Sequence, residues 1–267
     1  MSSRIGGDGG SLPLGEPVPG SSFLSLLETR GMNPVWAVDD SGMSLQIPEA
    51  TTVLAVRFAD GVVMAGDRRA TAGNVIAHKR VKKVFAADGF SAVAISGTAG
   101  MAIELIKLFQ TELEHYEKIE GTRLSLEGKA NYLARMVRGH LPLAFQGLAV
   151  VPLFCGYDVA EGSGRLYTFD VVGGRYEEQE YATTGSGGGE AKAFLKGRYE
   201  AGLSEEEALR LAVEALVSAA EEDAATGGPD LRRGIYPNVV AVTAGGFREI
   251  EDEELAPIAS SVMENRP

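Results

Sequence analysis

The sequence predicts an α+β fold, a four-layer αββα sandwich in which two mostly antiparallel sheets are flanked by helices. Two observations carry this expectation. Strand-like and helix-like segments follow one another as strands, two helices, strands, two helices, strands. Several strand pairs are joined by turns too short for a crossover, which makes them antiparallel neighbours. Two such sheets, each with one face on helices and one on the other sheet, give four layers. Strict alternation of single strands and single helices is absent, so a doubly wound nucleotide fold is not expected.

Residues 1–22 hold six Gly, five Ser and three Pro, too little apolar surface to offset the entropy of ordering the chain. Phe23, Leu24, Leu26 and Leu27 can line one face of a short helix ending near Gly31, and residues 32–50 contain the only tryptophan, Trp36. This stretch reads either as a disordered tail or as a removable pro-segment that docks through Phe23, Leu24 and Trp36.

At Thr51 the character changes. Thr52–Phe58 and Val62–Ala65 flank Ala59-Asp60-Gly61, a hairpin signal. Strands are expected at Val75–Ala77, Val81–Ala86 and Phe90–Ser96, the last two joined at Asp88-Gly89. Residues 99–119 place Ala102, Leu105, Ile106, Phe109, Leu113 and Tyr116 on one helical stripe, and residues 125–139 do the same with Leu126, Tyr132, Leu133, Met136 and Val137. Further strands are expected at Ala149–Gly156, Arg165–Asp170 and Arg175–Thr183. Helices are expected at Glu190–Tyr199 and Ser204–Ala220, the second opened by a Ser204/Glu207 capping box. A hairpin of Asn238–Thr243 and Phe247–Ile250 and a short helix around Glu253–Met263 close the chain.

The net charge of -12 and pI near 4.8 argue against nucleic acid and against an anionic membrane surface, both of which reward clustered Lys and Arg. One cysteine, Cys155, cannot form an intrachain disulfide. The N-terminus lacks the apolar stretch of a secretory signal. The most apolar run, Leu141 to Cys155, is broken by Gln146, Gly147 and Pro152, too short and interrupted to span a bilayer. A soluble cytoplasmic protein is expected.

His78, His115 and His140 lie far apart with no metal-ligand spacing, so no metal and no cofactor is expected. Gly185-Ser186-Gly187-Gly188-Gly189-Glu190 departs from a phosphate loop at its last position and reads as a tight strand-to-helix turn. Four features around the first strands can do chemistry. A cut before Thr51 would give one residue both a hydroxyl and a free α-amine, a nucleophile and its base. Asp67 ends a strand at Gly66-Asp67-Arg68-Arg69. Lys82 and Lys83 must face opposite ways if the strand alternates, so one of them can turn inward to Asp67. Ser96-Gly97-Thr98 joins a strand to a helix start, where backbone N–H groups can donate to an anion.

Thr51-Thr52, Gly66-Asp67-Arg68-Arg69, Lys83, Ser96-Gly97-Thr98, Gly185-Ser186-Gly187 and Asp223-Ala224-Ala225-Thr226-Gly227-Gly228 together resemble the β subunit of the 20S proteasome, an N-terminal-nucleophile (Ntn) hydrolase. The likeness extends over about residues 51–260. Leu113-Glu114-His115-Tyr116-Glu117-Lys118 and Ala225-Thr226-Gly227-Gly228-Pro229-Asp230-Leu231 resemble the actinobacterial type in particular. The resemblance implies a threonine endopeptidase in which residues 1–50 are removed by self-cleavage between Ala50 and Thr51, leaving 51–267 as the mature catalytic domain. It assigns Thr51 as nucleophile, Asp67 and Lys83 as the charge pair beside it, Gly97 as oxyanion donor, and Ser186, Asp223 and Thr226 as support for the Thr51 amine and its water. Ala70, Val81, Ile95 and Ala99 fall where the family lines its primary substrate pocket. It implies seven-membered β rings stacked between rings of α subunits, and unfolded, tagged protein substrates delivered by a ring ATPase. Two other readings compete. The simpler bacterial HslV peptidase also begins Thr-Thr, but typically reads Gly-Asp-Gly-Gln at 66–69. A non-catalytic ring subunit would lack the combination of Thr51, Asp67 and Lys83.

Overall fold

A computed structural model describes residues 51–72 and 75–264. The expected helix near Phe23, Trp36 and the Ala50 side of the proposed cut lie outside the described residues.

Among those residues the elements run β1 (Thr52–Phe58), β2 (Gly61–Gly66), β3 (Ala70–Ala72), β4 (Val75–His78), β5 (Val84–Asp88), β6 (Ser91–Gly97), α1 (Ala99–Glu120), α2 (Leu126–Gly139), α3 (Leu141–Ala144), β7 (Val150–Asp158), β8 (Ser163–Phe169), β9 (Arg175–Glu178), β10 (Tyr181–Gly185), α4 (Gly188–Arg198), α5 (Glu205–Glu222), β11 (Asn238–Thr243), β12 (Gly246–Glu249) and α6 (Asp252–Glu264). One sheet has the order β10-β1-β2-β11-β12, the other β5-β6-β7-β8-β9, and every strand pairing is antiparallel.

Alternation along β1 assigns the layers. Leu54, Val56 and Phe58 pack with α4, α5 and α6 residues such as Leu195, Leu216 and Leu255. Val53 and Ala55 face the other way, joining Val84, Ala94, Leu153 and Leu166 of the second sheet. The far face of that sheet, through Val93, Ile95, Phe154 and Tyr167, packs on Leu105, Phe109, Leu126 and Leu133 of α1 and α2. A one-residue slip would exchange the two faces of β1, so burial on both sides fixes its register strongly. The expected four-layer sandwich is therefore the fold observed.

The helices begin and end where their chemistry directs. The Ser204/Glu207 capping box opens α5, Ser125 Oγ accepts the Gly128 N–H at the start of α2, and Gly121 in the left-handed region closes α1.

Two expectations are corrected. The strand expected over Arg175–Thr183 is two strands in different sheets: β9 pairs with β8, and β10 pairs with β1. The chain crosses between sheets at Gln179-Glu180, held by Arg57 N–H donating to Glu180 O at 2.8 Å and the Arg57 guanidinium donating to Gln179 O at 2.8 Å. The strand expected from Val81 begins only at Val84, because pairing with β6 starts at Val84↔Ala94. The short elements β3 and α3 carry too few residues for periodicity to reveal them.

Lys129 is buried on α2 and forms an ion pair with Asp88 at 2.5 Å, tying the β5–β6 turn to the helix layer. Burial alone would raise the Asp88 carboxyl. The Lys129 ammonium, with hydrogen bonds from Ser91 and Phe90, instead holds it below its ordinary value. Lys129→Met keeps the packing of the stem and strips the charge. It is expected to cost about 3 kcal/mol, the lower end for breaking a buried pair, measured by urea unfolding at pH 7. A depressed carboxyl stabilises above its unfolded pKa of about 3.9 and loses that contribution as pH falls through its lower folded value. The gap between wild type and variant should therefore narrow as the pH falls below about 4.

Candidate active site

The site gathers where β1 begins. Thr51 precedes the strand, is 9% exposed, and accepts the Ser186 N–H on its carbonyl oxygen at 3.1 Å. Thr52 is fully buried and is anchored on three sides. Its N–H donates to Asp67 Oδ1 at 2.9 Å, its hydroxyl accepts the Gly187 N–H at 2.9 Å, and that hydroxyl lies 2.6 Å from Thr226 Oγ1. Thr52 thus fixes the backbone that carries Thr51.

Asp67 sits just past β2, which pairs with β1 in the register Val53↔Gly66. It is fully buried, and its second oxygen accepts the Arg69 N–H at 2.8 Å and the Gly227 N–H at 3.0 Å. Lys83 Nζ donates to Asp67 Oδ1 at 2.5 Å, with the lysine side chain 4% exposed. Of the two adjacent lysines, Lys83 is the one that turns inward; Lys82 reaches Glu249 on the surface at 2.7 Å. Burial pushes the Lys83 ammonium below its ordinary value, against the opposing pull of the Asp67 charge and hydrogen bond. The expected Asp–Lys pair is therefore formed, in a place where electrostatic interactions are far stronger than in water.

Ser186, Asp223 and Thr226 form one cluster. Ser186 Oγ and Thr226 Oγ1 both donate to Asp223 Oδ2, at 2.6 and 2.5 Å, and the Ala225 N–H donates to Asp223 Oδ1 at 3.0 Å. Burial alone would raise the Asp223 carboxyl, but these donors and the Lys83 charge hold it below its ordinary value. Through the Thr226–Thr52 hydroxyl contact the cluster joins the anchor of β1.

Gly97 ends β6 opposite Val150, and the next residue donates its N–H to Ala149 O at 3.2 Å. Antiparallel neighbours alternate between bonded and non-bonded pairs, so the Gly97 N–H points away from β7. On that side β5 has already ended, since its last pairing in this direction is Val84↔Ala94. The donor is thus directed beyond the sheet edge. Its φ of +113° and a would-be Cβ only 2.2 Å from Ala149 O leave room for glycine alone. Gly97→Ala is expected to destabilise the protein by at least about 2 kcal/mol, the scale of backbone strain and overpacking, read as a lowered thermal midpoint.

Ala70 lies in β3, Val81 in the segment before β5, Ile95 in β6 and Ala99 at the first turn of α1. Ala70 and Val81 are half-buried, Ala99 is exposed, and Ile95 packs into the core against α1. The contributions of Arg69 and Gly227 were not legible in the sequence. Both act through backbone N–H groups, which any residue type supplies.

A sandwich of two antiparallel sheets between helices, with a threonine heading its first strand beside a buried acid–lysine pair, has the form of an Ntn hydrolase. Residues 47–230 match the proteasome subunit family. The chain is 53% identical over 251 residues to a proteasome subunit beta of Acidimicrobium ferrooxidans, covering 93% of this chain and 92% of the relative. It is 51% identical to that of Streptomyces griseus over 96% of this chain and 93% of the relative. Against that of Frankia casuarinae it is 48% identical over 97% and 96%. The chain belongs to the proteasome subunit family, as a β-type subunit and a protease.

Proposed function

We propose that this β subunit is a threonine endopeptidase whose nucleophile, Thr51, becomes the N-terminus when residues 1–50 are released by self-cleavage after Ala50. The observation that carries the reading is the buried Lys83–Asp67 pair at 2.5 Å, with Asp67 also holding the N–H of Thr52. A threonine hydroxyl is a poor nucleophile at neutral pH, whereas a free α-amine titrates at roughly 7.7–8.0. The Thr51 amine takes the hydroxyl proton, directly or through water, as Oγ1 attacks the substrate carbonyl. The Gly97 N–H stabilises the oxyanion, a type of donor worth about 2.7–4 kcal/mol. The proton then passes to the leaving amine, and water hydrolyses the ester on Thr51 to regenerate hydroxyl and amine.

Lys83 as a cation lowers the pKa of the Thr51 amine, so that more of it is the neutral base. Asp67 keeps Lys83 charged and aimed. Ser186, Asp223 and Thr226 support the amine and its water. Ala70, Val81, Ile95 and Ala99 form an apolar recess for the side chain before the scissile bond.

In the uncut chain the Thr51 nitrogen is an amide and cannot serve as a base, so the precursor is inactive. The small side chain of Ala50 allows the Thr51 hydroxyl to approach its carbonyl. The subunits assemble as seven-membered rings with α-type subunits, in a cytoplasmic particle fed with unfolded, tagged proteins by a ring ATPase. Among the described residues no helix is long and apolar enough to cross a membrane.

Intact mass after assembly with α-type subunits tests the reading. The expected species begins at Thr51 and, having lost Trp36, contains no tryptophan. Active particles that retain all 50 preceding residues would exclude the mechanism.

A further inference from the structure

Lys83 is held at its backbone as well as at its ammonium. Residues 79–83 are not in a strand, so no neighbouring strand takes the backbone donors at its end. Asn238 takes them instead. Its Oδ1 accepts the Val84 N–H at 2.8 Å and the Lys83 N–H at 3.3 Å. A side chain from the other sheet thus caps the chain where β5 begins.

Asn238 is 2% exposed and opens β11 in register with Gly66, the residue before Asp67. Its amide nitrogen donates to Glu249 Oε1 at 3.3 Å, and Glu249 also holds Lys82. These partners fix which way the amide points, because a flipped amide would set its own N–H groups against two backbone donors. Beneath the lysine, a Cβ on Gly66 would lie 3.2 Å from Lys83 Cβ, so the stem rests directly on that glycine. Lys83 is thus located at its Nζ by Asp67, at its Cβ by Gly66 and at its N–H by Asn238. Asn238 belongs to one sheet, and the residues it binds are the first residue of β5 in the other and the one before it. It is therefore a clip between the two sheets at the height of the site.

We propose that Asn238, aimed by Glu249, is a positioning residue for the Thr51 reaction: its side-chain carbonyl sets the Lys83 backbone and, through it, the place of the ammonium beside Thr51. The inference rests on the Thr51–Lys83 reading above. A charge displaced by about 1 Å from its working position is capable of costing 10²-fold in rate. Without the clip, Lys83 keeps Asp67 as a partner but loses the fixed backbone that aims it.

The test uses assembled particles of the full chain with α-type subunits, with rates expressed per Thr51 site titrated by a slow irreversible acylating peptide. For Asn238→Ala the expected result is a fall in kcat of at least tenfold, with KM within about twofold and faster amide exchange at Lys83 and Val84. With the ammonium displaced, the Thr51 amine regains a higher pKa, so the acid limb of the kcat profile should move up by about half a pH unit or more. A merely structural role would lower the number of titratable sites and leave kcat per site and the limb unchanged, and that result would overturn the proposal.

The double variant Asn238→Asp/Glu249→Gln keeps an acceptor for both backbone N–H groups and reverses the donor between the two side chains. It is expected to keep amide protection and kcat within about threefold of wild type. Normal titration with kcat lost would overturn the proposal even if Asn238→Ala does not assemble. Thr51→Ala separates the two levels of inference. A Thr51→Ala particle that cleaves peptide refutes the nucleophile itself. An inert one beside a fully active Asn238→Ala refutes only the positioning role.

Discussion

Replacing Thr51 with alanine is expected to abolish peptide cleavage and to leave residues 1–50 attached. The rate should fall by on the order of 10⁶-fold, the scale on which a hydrolase loses its nucleophile. Both losses have one cause, because the same hydroxyl is assigned to attack the Ala50 carbonyl once and substrate carbonyls thereafter. The fold should survive. The contacts that anchor this end of β1 belong to Thr52, whose N–H and hydroxyl meet Asp67, Gly187 and Thr226, and to the Thr51 carbonyl, which alanine retains. Thr51→Ser keeps hydroxyl and amine and is expected both to process and to turn over. Intact mass and peptide hydrolysis on the same preparations read both effects; processing that persists in Thr51→Ala would point to another nucleophile.

Lys83→Met is expected to lower kcat by about 10²–10³-fold, the range for removing a preorganised electrostatic partner. The methionine stem fills the space but leaves Asp67 buried without its cation. Breaking such a pair costs about 3–5 kcal/mol. The lower end applies, since Asp67 still accepts the N–H groups of Thr52, Arg69 and Gly227. The variant should therefore assemble while being nearly inert, and its denaturation midpoint should fall. Rates per titrated site together with urea unfolding measure the two effects. A variant that loses stability and keeps its rate within tenfold would show that the pair is structural only.

Much of the fold was legible because its signals are local. The stripe Ala102, Leu105, Ile106, Phe109 and Leu113 is buried as its spacing predicts, whereas Tyr116 at its end stays partly exposed. The Arg175–Thr183 stretch reads as one strand because no Gly or Pro interrupts it at Gln179-Glu180, and the change of sheet is written only in the partners on either side. Nothing local marks Val84 as the start of β5, and Asn238, which takes the Lys83 and Val84 donors, lies 154 positions beyond Val84. The burial of Lys129 was hidden likewise, since its partner Asp88 looked like ordinary turn chemistry.

The sequence by itself determined the succession of strand blocks and helix pairs and the residue types from which a nucleophile, an acid and a cation can be drawn. Those features are set by spacing and composition, which act within a few residues. Alternation left Lys82 and Lys83 open and the resemblance implied Lys83; the tertiary structure places Lys83 on Asp67 and Lys82 on Glu249, and it alone decided that Thr52 is the anchor beside Thr51 and that backbone N–H groups of Arg69 and Gly227 complete the Asp67 shell. A buried carboxylate must find its cation and its donors wherever the packed sheets bring them. Here they come from residues up to 160 positions away, a distance over which no local pattern carries information.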